Sequence, residues 1–444
     1  MTELVLQAEL LDSFRSELLE RGIEGCVVLL THQSKVGDRV RLLVSEVMIP
    51  ESSDYSLRKF DGAELTPGFV ARVAKRAVSA DAGLVFVHSH PGDRPPRFSR
   101  TDDRGEQHLA AFLAHRIPHR VHAALVISSG GYTARELGGT QQLRVTSVGE
   151  SLKLLAGSDG SEQLEKSTVH DRQIRAFGSA GQERLAELVV GIVGLGGTGS
   201  VVAQELAHLG VGQFLLIDPD TIETTNLNRV SDAGPEDVGS EKVEVAARYI
   251  RKIAPKAVVK TVAGDITRKP IAELLTGVDF IMSCTDSHGS RAVIQQIAYQ
   301  YLIPCIDMGT VIATTKGLIT HIHGRVQMLS AGLACLSCSK LLDGNEVRRD
   351  MMTPEEKKTD PYIIGGNEPA PAVMSLNATI ASLAVTMFLG VVTEIPVKGR
   401  HLLYNALAPS LRSISISRDP KCFICSAYGT LSRGDSVPLM ARQD

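Results

Sequence analysis

Short apolar runs rich in β-branched residues punctuate the first third of the chain. They are CVVLL from Cys26, RVRLLVSEVMIP from Arg39, GLVFVHSHP from Gly83 and HAALVISS from His122. Runs of this length bounded by turn residues predict strands. The opening MTELVLQAELLDSFRSELLERG has a helical spacing instead, so residues 1–148 read as an α+β domain. The stretch 149–168, SVGESLKLLAGSDGSEQLEK, lacks a periodic apolar signal and reads as a linker. From Val189 the pattern becomes strand, glycine-rich turn, helix and strand in VVGIVGLGGTGSVVAQELAHLGVGQFLLIDPD. That is one βαβ unit, so residues 169–426 are expected to form a doubly wound α/β domain, with 427–444 left as a C-terminal tail. The charged, Pro-flanked segment 343–361 reads as a loop over a site.

Composition narrows the partners. With 43% hydrophobic and 22% charged residues the 444-residue chain is expected to fold, and at this length into more than one core. A formal net charge of −3 offers no basic excess for a phosphate backbone, so nucleic acid is not expected as a partner. Acidic residues interrupt the apolar positions of the start, which therefore lacks the form of a secretory signal. The 23 uncharged residues Pro371–Thr393 are long enough to cross a bilayer. Ser375, Asn377, Thr379, Ser382 and Thr386 interrupt them, so a buried core helix is expected and no membrane partner. Seven cysteines, four of them in two Cys-x-x-Cys pairs, suit metal binding in a reducing, cytoplasmic compartment better than disulfides.

Two constellations carry chemistry. In the first, His88 and His90 are one residue apart on a strand, so both imidazoles share a face and can share a metal. The Pro-rich turn after Pro91 can return Ser99 and Asp102 to that pair, and two imidazoles with a carboxylate make a three-ligand zinc set with one open position. Glu46 is the candidate to take a proton from water. These residues resemble the pattern of the JAMM (MPN-type) zinc isopeptidases: Glu46, then His88-Ser89-His90-Pro91, then Ser99-Arg100-Thr101-Asp102. The resemblance implies zinc on His88, His90 and Asp102, water activation by Glu46, and oxyanion support from Ser99. The gap between His90 and Ser99 is one residue longer than usual, which leaves Asp103 as a rival ligand.

In the second, the turn Gly194-Leu195-Gly196-Gly197-Thr198-Gly199 follows a strand and opens a helix, and Asp218 closes the next strand. Glycines admit phosphates to the backbone and the acid suits ribose hydroxyls. Asn226, Arg229, Lys242 and Asp286 then supply cations for a triphosphate and a carboxylate for Mg²⁺, none of which a nicotinamide needs. From about His170 to Ser426 the chain resembles the ThiF-type superfamily of ubiquitin-activating enzymes and sulfur-carrier adenylyltransferases. The carriers are Asp171-Arg172-Gln173-Ile174 with Gly181-Gln182, the glycine turn, Asp218, Asn226-x-x-Arg229, Lys242 and Cys284-Thr285-Asp286. The resemblance implies that Asp218 holds the ATP ribose, that Asn226, Arg229 and Lys242 hold phosphates, and that Asp286 holds Mg²⁺. It also implies that Arg172 reaches a partner subunit's phosphates, hence a homodimer. Cys335, Cys338, Cys422 and Cys425 form the set for a structural zinc.

The combined expectation is an ATP-dependent adenylyltransferase for the C-terminal glycine of a ubiquitin-like protein, fused to a zinc peptidase that cuts after that glycine. A conjugating enzyme is a further expected partner. The charged segment contains no cysteine. Activation of a sulfur-carrier protein is the alternative, and a non-catalytic scaffold is a third class.

Overall fold

The computed structural model describes residues 2–20, 22–157, 168–353, 356, 371–393 and 395–443. Alternating side chains along strands set the layers of the first unit, which comprises Met1–Ser161 with Gln300–Leu302 and Ser426–Pro438. Its strands are β1 (Thr2–Gln7), β2 (Cys26–Val36), β3 (Arg39–Met48), β4 (Tyr55–Lys59), β5 (Gly62–Leu65), β6 (Gly83–Ser89), β7 (Ala123–Ser128), β8 (Gly131–Glu136), β9 (Arg144–Val148) and β10 (Leu152–Ala156). Its helices are α1 (Ala8–Glu20), α2 (Pro67–Ala80) and α3 (Arg100–Arg116). Eight strands form one sheet in the order β10-β9-β1-β3-β2-β6-β7-β8, and β4 and β5 pair as a hairpin. Val27, Leu29, Val85 and Val87 face Leu11, Phe14 and Leu18 of α1, whereas Val28, Leu30, Leu84 and Phe86 face Phe69 and Val73 of α2 and Leu113 of α3. Helices thus cover both faces.

Two expectations differ here. Thr2–Gln7 is a strand, because its fully buried residues fill the sheet between β3 and β9. Within the expected linker, Leu152–Ala156 pairs antiparallel with β9, and residues 158–167 lie outside the described ones.

Part of the stretch expected as a tail belongs to this unit. The Gln7 amide donates to Ser432 at 2.8 Å, the Lys35 N–H to Asp435 at 2.8 Å, and Gln300 donates to the carbonyls of Gly434 and Val437. Gly434 has φ +50°, and a Cβ there would stand 2.3 Å from the Gln33 carbonyl.

The second unit comprises Glu162–Tyr299, Ile303–Cys425 and Leu439–Asp444. Its strands are β11 (Val189–Val193), β12 (Gln213–Asp218), β13 (Val258–Ala263), β14 (Phe280–Ser283), β15 (Cys305–Thr315), β16 (Leu318–Leu329), β17 (His401–Asn405) and β18 (Ser410–Ser413). Its helices are α4 (Asp171–Glu187), α5 (Gly197–Leu209), α6 (Lys242–Ile253), α7 (Lys269–Leu275), α8 (His288–Gln300), α9 (Gly344–Asp350) and α10 (Met374–Val392). The sheet runs β13-β12-β11-β14-β15-β16-β17-β18. From β13 to β15 in that order the pairings are parallel and from β15 to β18 antiparallel, so the doubly wound half carries an antiparallel extension. The strand order reverses at β11, between β12 and β14, where an open parallel sheet leaves a crevice. α10 is long and apolar enough to cross a membrane, yet 61% of its apolar window is buried, and Phe388 packs edge-on to Phe280 with ring centroids 4.8 Å apart. Of the charged segment 343–361, Asp343–Thr353 and Glu356 are described, and α9 lies within it; the rest lies outside the described residues.

The least tolerant point of the first unit is Glu3, whose side chain is 3% exposed. Burial alone would raise its pKa, but Arg41 and Arg39 together with the Thr146 hydroxyl hold it well below the carboxylate range. Glu3→Ala removes the buried carboxylate that Arg41 and Arg39 pair with. We expect it to lower the stability of this unit by about 3–5 kcal/mol, read as a fall in its denaturant midpoint. A loss under about 1 kcal/mol would show that Arg41 reaches water without its partner.

Candidate metal and nucleotide sites

The His88/His90 cluster is assembled by strand register and a helix cap. Cys26 of β2 faces His88 of β6, and the β6–β7 edge continues until the His90 N–H donates to the Ile127 carbonyl. α3 begins at the Ser99 N-cap: the Ser99 hydroxyl accepts the Asp102 N–H at 3.2 Å, and Asp102 Oδ2 accepts the Ser99 N–H at 2.6 Å. This capping box leaves Asp102 Oδ1 3.4 Å from His88 Nε2, with His90 Nε2 3.8 Å from Oδ2 and 3.2 Å from His88 Nε2. A zinc ion with bonds of about 2.0–2.1 Å sets its ligands about 3.3 Å apart, so the donor set and spacing fit zinc. Burial would raise the Asp102 pKa, yet His88 and the Ser99 N–H hold it well below its ordinary value, leaving an ionised ligand. Asp103 turns away to Arg135 at 2.7 Å, and that arginine also grips Glu106 and stacks over Phe98. Ser99 acts here through its cap, orienting Asp102.

The carboxylate beside this cluster is Glu24. Its Oε1 lies 3.7 Å from His90 Nε2, and burial pushes its pKa up to about 7 against the opposing pull of His88. Glu46 is elsewhere: it pairs with Leu30 in the sheet, four residues along β2 from the partner of His88, about 13 Å at the strand rise. There it forms a surface ion pair with Arg76 at 2.7 Å. The expected water-activating role of Glu46 therefore has no geometric basis. Sequence reading missed Glu24 because it chose an acid inside a strand; the signal was an acid two residues before the strand that pairs with the histidine strand.

In the second unit most of the residues named from sequence for the nucleotide line one cavity of about 1000 Å³ at the switch point. Gly194, Gly196, Gly197, Asp218, Asn226, Arg229, Lys242 and Asp286 all border it, with Thr198, Asp265, Arg291 and Asp350. Gly194 has φ +88°, and a Cβ on Gly199 would lie 1.8 Å from the Gly194 carbonyl oxygen, so both must be glycine. α5 starts at Gly196 without a side-chain cap, which leaves its first N–H groups for an anion. The Leu195 and Asp220 N–H groups donate to Asp218 at 2.6 and 2.9 Å, and burial raises its pKa against the pull of Lys242. Lys242 pairs with Asp220 at 2.8 Å, Arg229 donates to the Thr225 carbonyl at 2.6 Å, and Asn226 is buried as a turn cap. Buried Asp307 aims Arg291 into the cavity through a 3.2 Å ion pair. This asparagine, these cations and the helix N-terminus suit a polyphosphate, and Asp286 offers a carboxylate for a divalent cation bridging to it. Arg172 is exposed on α4 and does not line the cavity.

Comparison with known proteins follows this division. Residues 170–424, more than half the chain, match the model of the ThiF family, and residues 7–138 match prokaryotic homologs of the JAB domain. The chain belongs to the ThiF family. It is a fusion of a JAB-type (JAMM/MPN-like) domain with a ThiF domain. It is 25% identical over 229 residues to the SAMP-activating enzyme E1 of Haloferax volcanii, covering 51% of this chain and 76% of that one. It is 26% identical over 218 residues to the molybdopterin-synthase adenylyltransferase of Escherichia coli, covering 49% and 78%. With the adenylyltransferase and sulfurtransferase UBA4 of Saccharomyces cerevisiae it shares 26% over 228 residues, half of this chain but 47% of that one. Solved structures with a similar fold include E. coli MccB, at 21% identity and TM-score 0.46 over 60% of this chain and 75% of that one.

The ThiF domain also gathers the four cysteines. Cys335 and Cys422 sulfurs lie 3.5 Å apart, Cys338 and Cys425 3.6 Å, and all four fall within 4.8 Å of one another. A tetrahedral zinc with bonds of about 2.3 Å spaces its sulfurs about 3.8 Å apart, so the donors fit. N–H groups of Cys338, Ile424 and Asp419 point at the sulfurs, the orientation that supports thiolates. Metal analysis of the purified chain is expected to give two zinc ions. His90→Ala should retain one, and Cys422→Ser should retain the other; a single ion lost from both variants would show one shared site.

Proposed function

We propose that the ThiF domain adenylates the C-terminal glycine of a ubiquitin-like protein with ATP, and that the JAB-type domain hydrolyses the peptide or isopeptide bond after that glycine. The observation that carries the first half is the single cavity in which the glycine turn, Asp218, Asn226, Arg229, Lys242 and Asp286 converge. The relatives named as a SAMP-activating enzyme and as adenylyltransferases support the same reading.

In the proposed reaction a carboxylate oxygen attacks the α-phosphorus, the bond to the bridging oxygen breaks, and pyrophosphate leaves. Side chains need supply little acid or base; their task is to stabilise the charge that spreads over the phosphates. The α5 N-terminus, Arg229 and Lys242 do so, Asp218 takes the ribose hydroxyls, and Arg172 serves a partner subunit's site in a homodimer. Mg²⁺ held by Asp286 would supply further charge neutralisation when bound.

In the JAB-type domain His88, His90 and Asp102 would hold zinc, which supplies Lewis-acid chemistry at the scissile carbonyl when bound. Glu24 takes the proton of the attacking water and returns it to the leaving amine. A carboxyl with its pKa near neutrality suits both transfers.

A second reading, sulfur-carrier activation, has its own support in the cysteines. Burial raises the thiol pKa of Cys26, Cys284 and Cys305, to about 12 for Cys26, and Asp307 adds to the effect at Cys284. Outside the four clustered cysteines no described thiol is thereby poised for a thioester, so the acyl-adenylate itself is the species handed on, to an amine or to sulfide. Either route suits a cytoplasmic enzyme, and a pure scaffold would have no use for Glu24 or Asp286.

Asp286→Ala is expected to cut carrier-dependent ATP–pyrophosphate exchange by about a hundredfold or more, and exchange at the wild-type rate would refute the magnesium role. Glu24→Gln should abolish cleavage of a C-terminally extended ubiquitin-like substrate, while Glu46→Gln should cleave normally. The reverse outcome would return the base to Glu46.

A further inference from the structure

We infer that Arg442, on the segment Leu439–Gln443, is a positioning residue for the nucleoside end of the nucleotide cavity. The inference rests on the proposed nucleotide site. Sheet order gives the direction: the glycine turn follows β11, Asp218 ends β12 next to it, and Gly264-Asp265-Ile266-Thr267 follow β13 beyond that. Moving outward from the phosphate end of α5, the cavity meets the ribose acid first and then the Asp265 wall, which lies where a base would be.

That wall is not self-supporting. Asp265 accepts the Thr267 N–H at 2.8 Å, and its other oxygen accepts Arg442 Nη2 at 2.8 Å. The segment is laid against the wall by backbone bonds on both sides: the Arg442 N–H donates to the Thr267 carbonyl and the Lys269 N–H to the Arg442 carbonyl, each at 2.7 Å. The Met440 N–H adds a 2.7 Å bond to Gln296 on α8. Arg442 Nη1 donates to the Met352 carbonyl at 3.1 Å, just beyond α9. Two residues earlier, Asp350 lines the cavity and accepts Ser287 and Gly289 at 2.9 Å each. One guanidinium, 16% exposed, therefore ties the Asp265 wall to the chain just beyond α9. A planar fork with separate donors suits two acceptors in fixed directions, which a lysine could not satisfy together.

The test is binding of ATP and of inorganic tripolyphosphate by the full chain with Mg²⁺. Wild type must bind both; absence of saturable ATP binding would sink the nucleotide reading itself. Arg442→Ala is expected to weaken ATP about tenfold and leave tripolyphosphate within twofold, and the loss should fall on the KM for ATP rather than on kcat. Asp265→Asn should weaken ATP similarly, and the double variant no further, because both remove one contact. Arg442→Lys, with the charge but not the fork, should recover part of the affinity and serves if the alanine variant does not fold. Unchanged ATP binding with wild type saturable, equal weakening of both ligands, or a loss in kcat alone would overturn the role.

Discussion

The second unit depends on the closeness with which Gly199 lies over the Gly194 carbonyl. Their separation leaves no room for a single methyl group, so the first turn of α5 sits directly on the end of β11. That seating turns the uncapped helix N-terminus into the floor of the cavity, and the Leu195 N–H fastens the end of β12 through Asp218. The remaining polar groups are arranged around this fixed point: Lys242 at the start of α6, Arg229 in the turn after β12, Asp286 after β14. All lie outside the strand interiors, because the β11, β12 and β14 interiors are buried and apolar.

The two candidate zinc sites reach their donor sets by opposite routes. His88 and His90 are local, delivered by the period of a strand, and the third donor arrives through a helix cap only twelve residues on. The cysteine pairs are separated by 87 residues, so bringing them together closes a long loop. Loop-closure cost grows only slowly with length, and metal binding at such a site is in effect folding free energy. Three donors at the first site would leave a zinc ion one position open for chemistry, whereas the four sulfurs of the second would fill its shell, which suits anchoring.

How much of this was legible in the sequence follows from the same distinction. The glycine turn, Asp218, the His pair and the Cys pairs are set by local spacing, and the structure brings the His pair to Asp102, the Cys pairs to each other and the glycine turn to Asp218. The choice between Asp102 and Asp103 needed the cap geometry, since a helix start rotates neighbouring side chains about 100° apart. Glu24 needed strand register. It lies two residues before Cys26, the partner of His88, and therefore opposite His90, whereas Glu46 belongs to a strand whose pairing carries it along the sheet to Arg76. Leu152–Ala156 was hidden because an edge strand of five residues needs little periodic signal once β9 offers it hydrogen-bonding groups.

The two proposed chemistries make opposite demands on water, and the sites differ accordingly. Hydrolysis needs a water molecule with a base beside it. Glu24 stands at the His/Asp cluster, and the turn 91–97 lines a cavity of about 580 Å³ next to His90. An acyl-adenylate must instead be kept from water until its acceptor arrives. In the nucleotide cavity Asp218 already accepts two backbone N–H groups, Asp220 is paired with Lys242, and Asp350 accepts Ser287 and Gly289. The contacts that would seat the nucleotide therefore also occupy acids beside it, which disfavours hydrolysis of the acyl-adenylate.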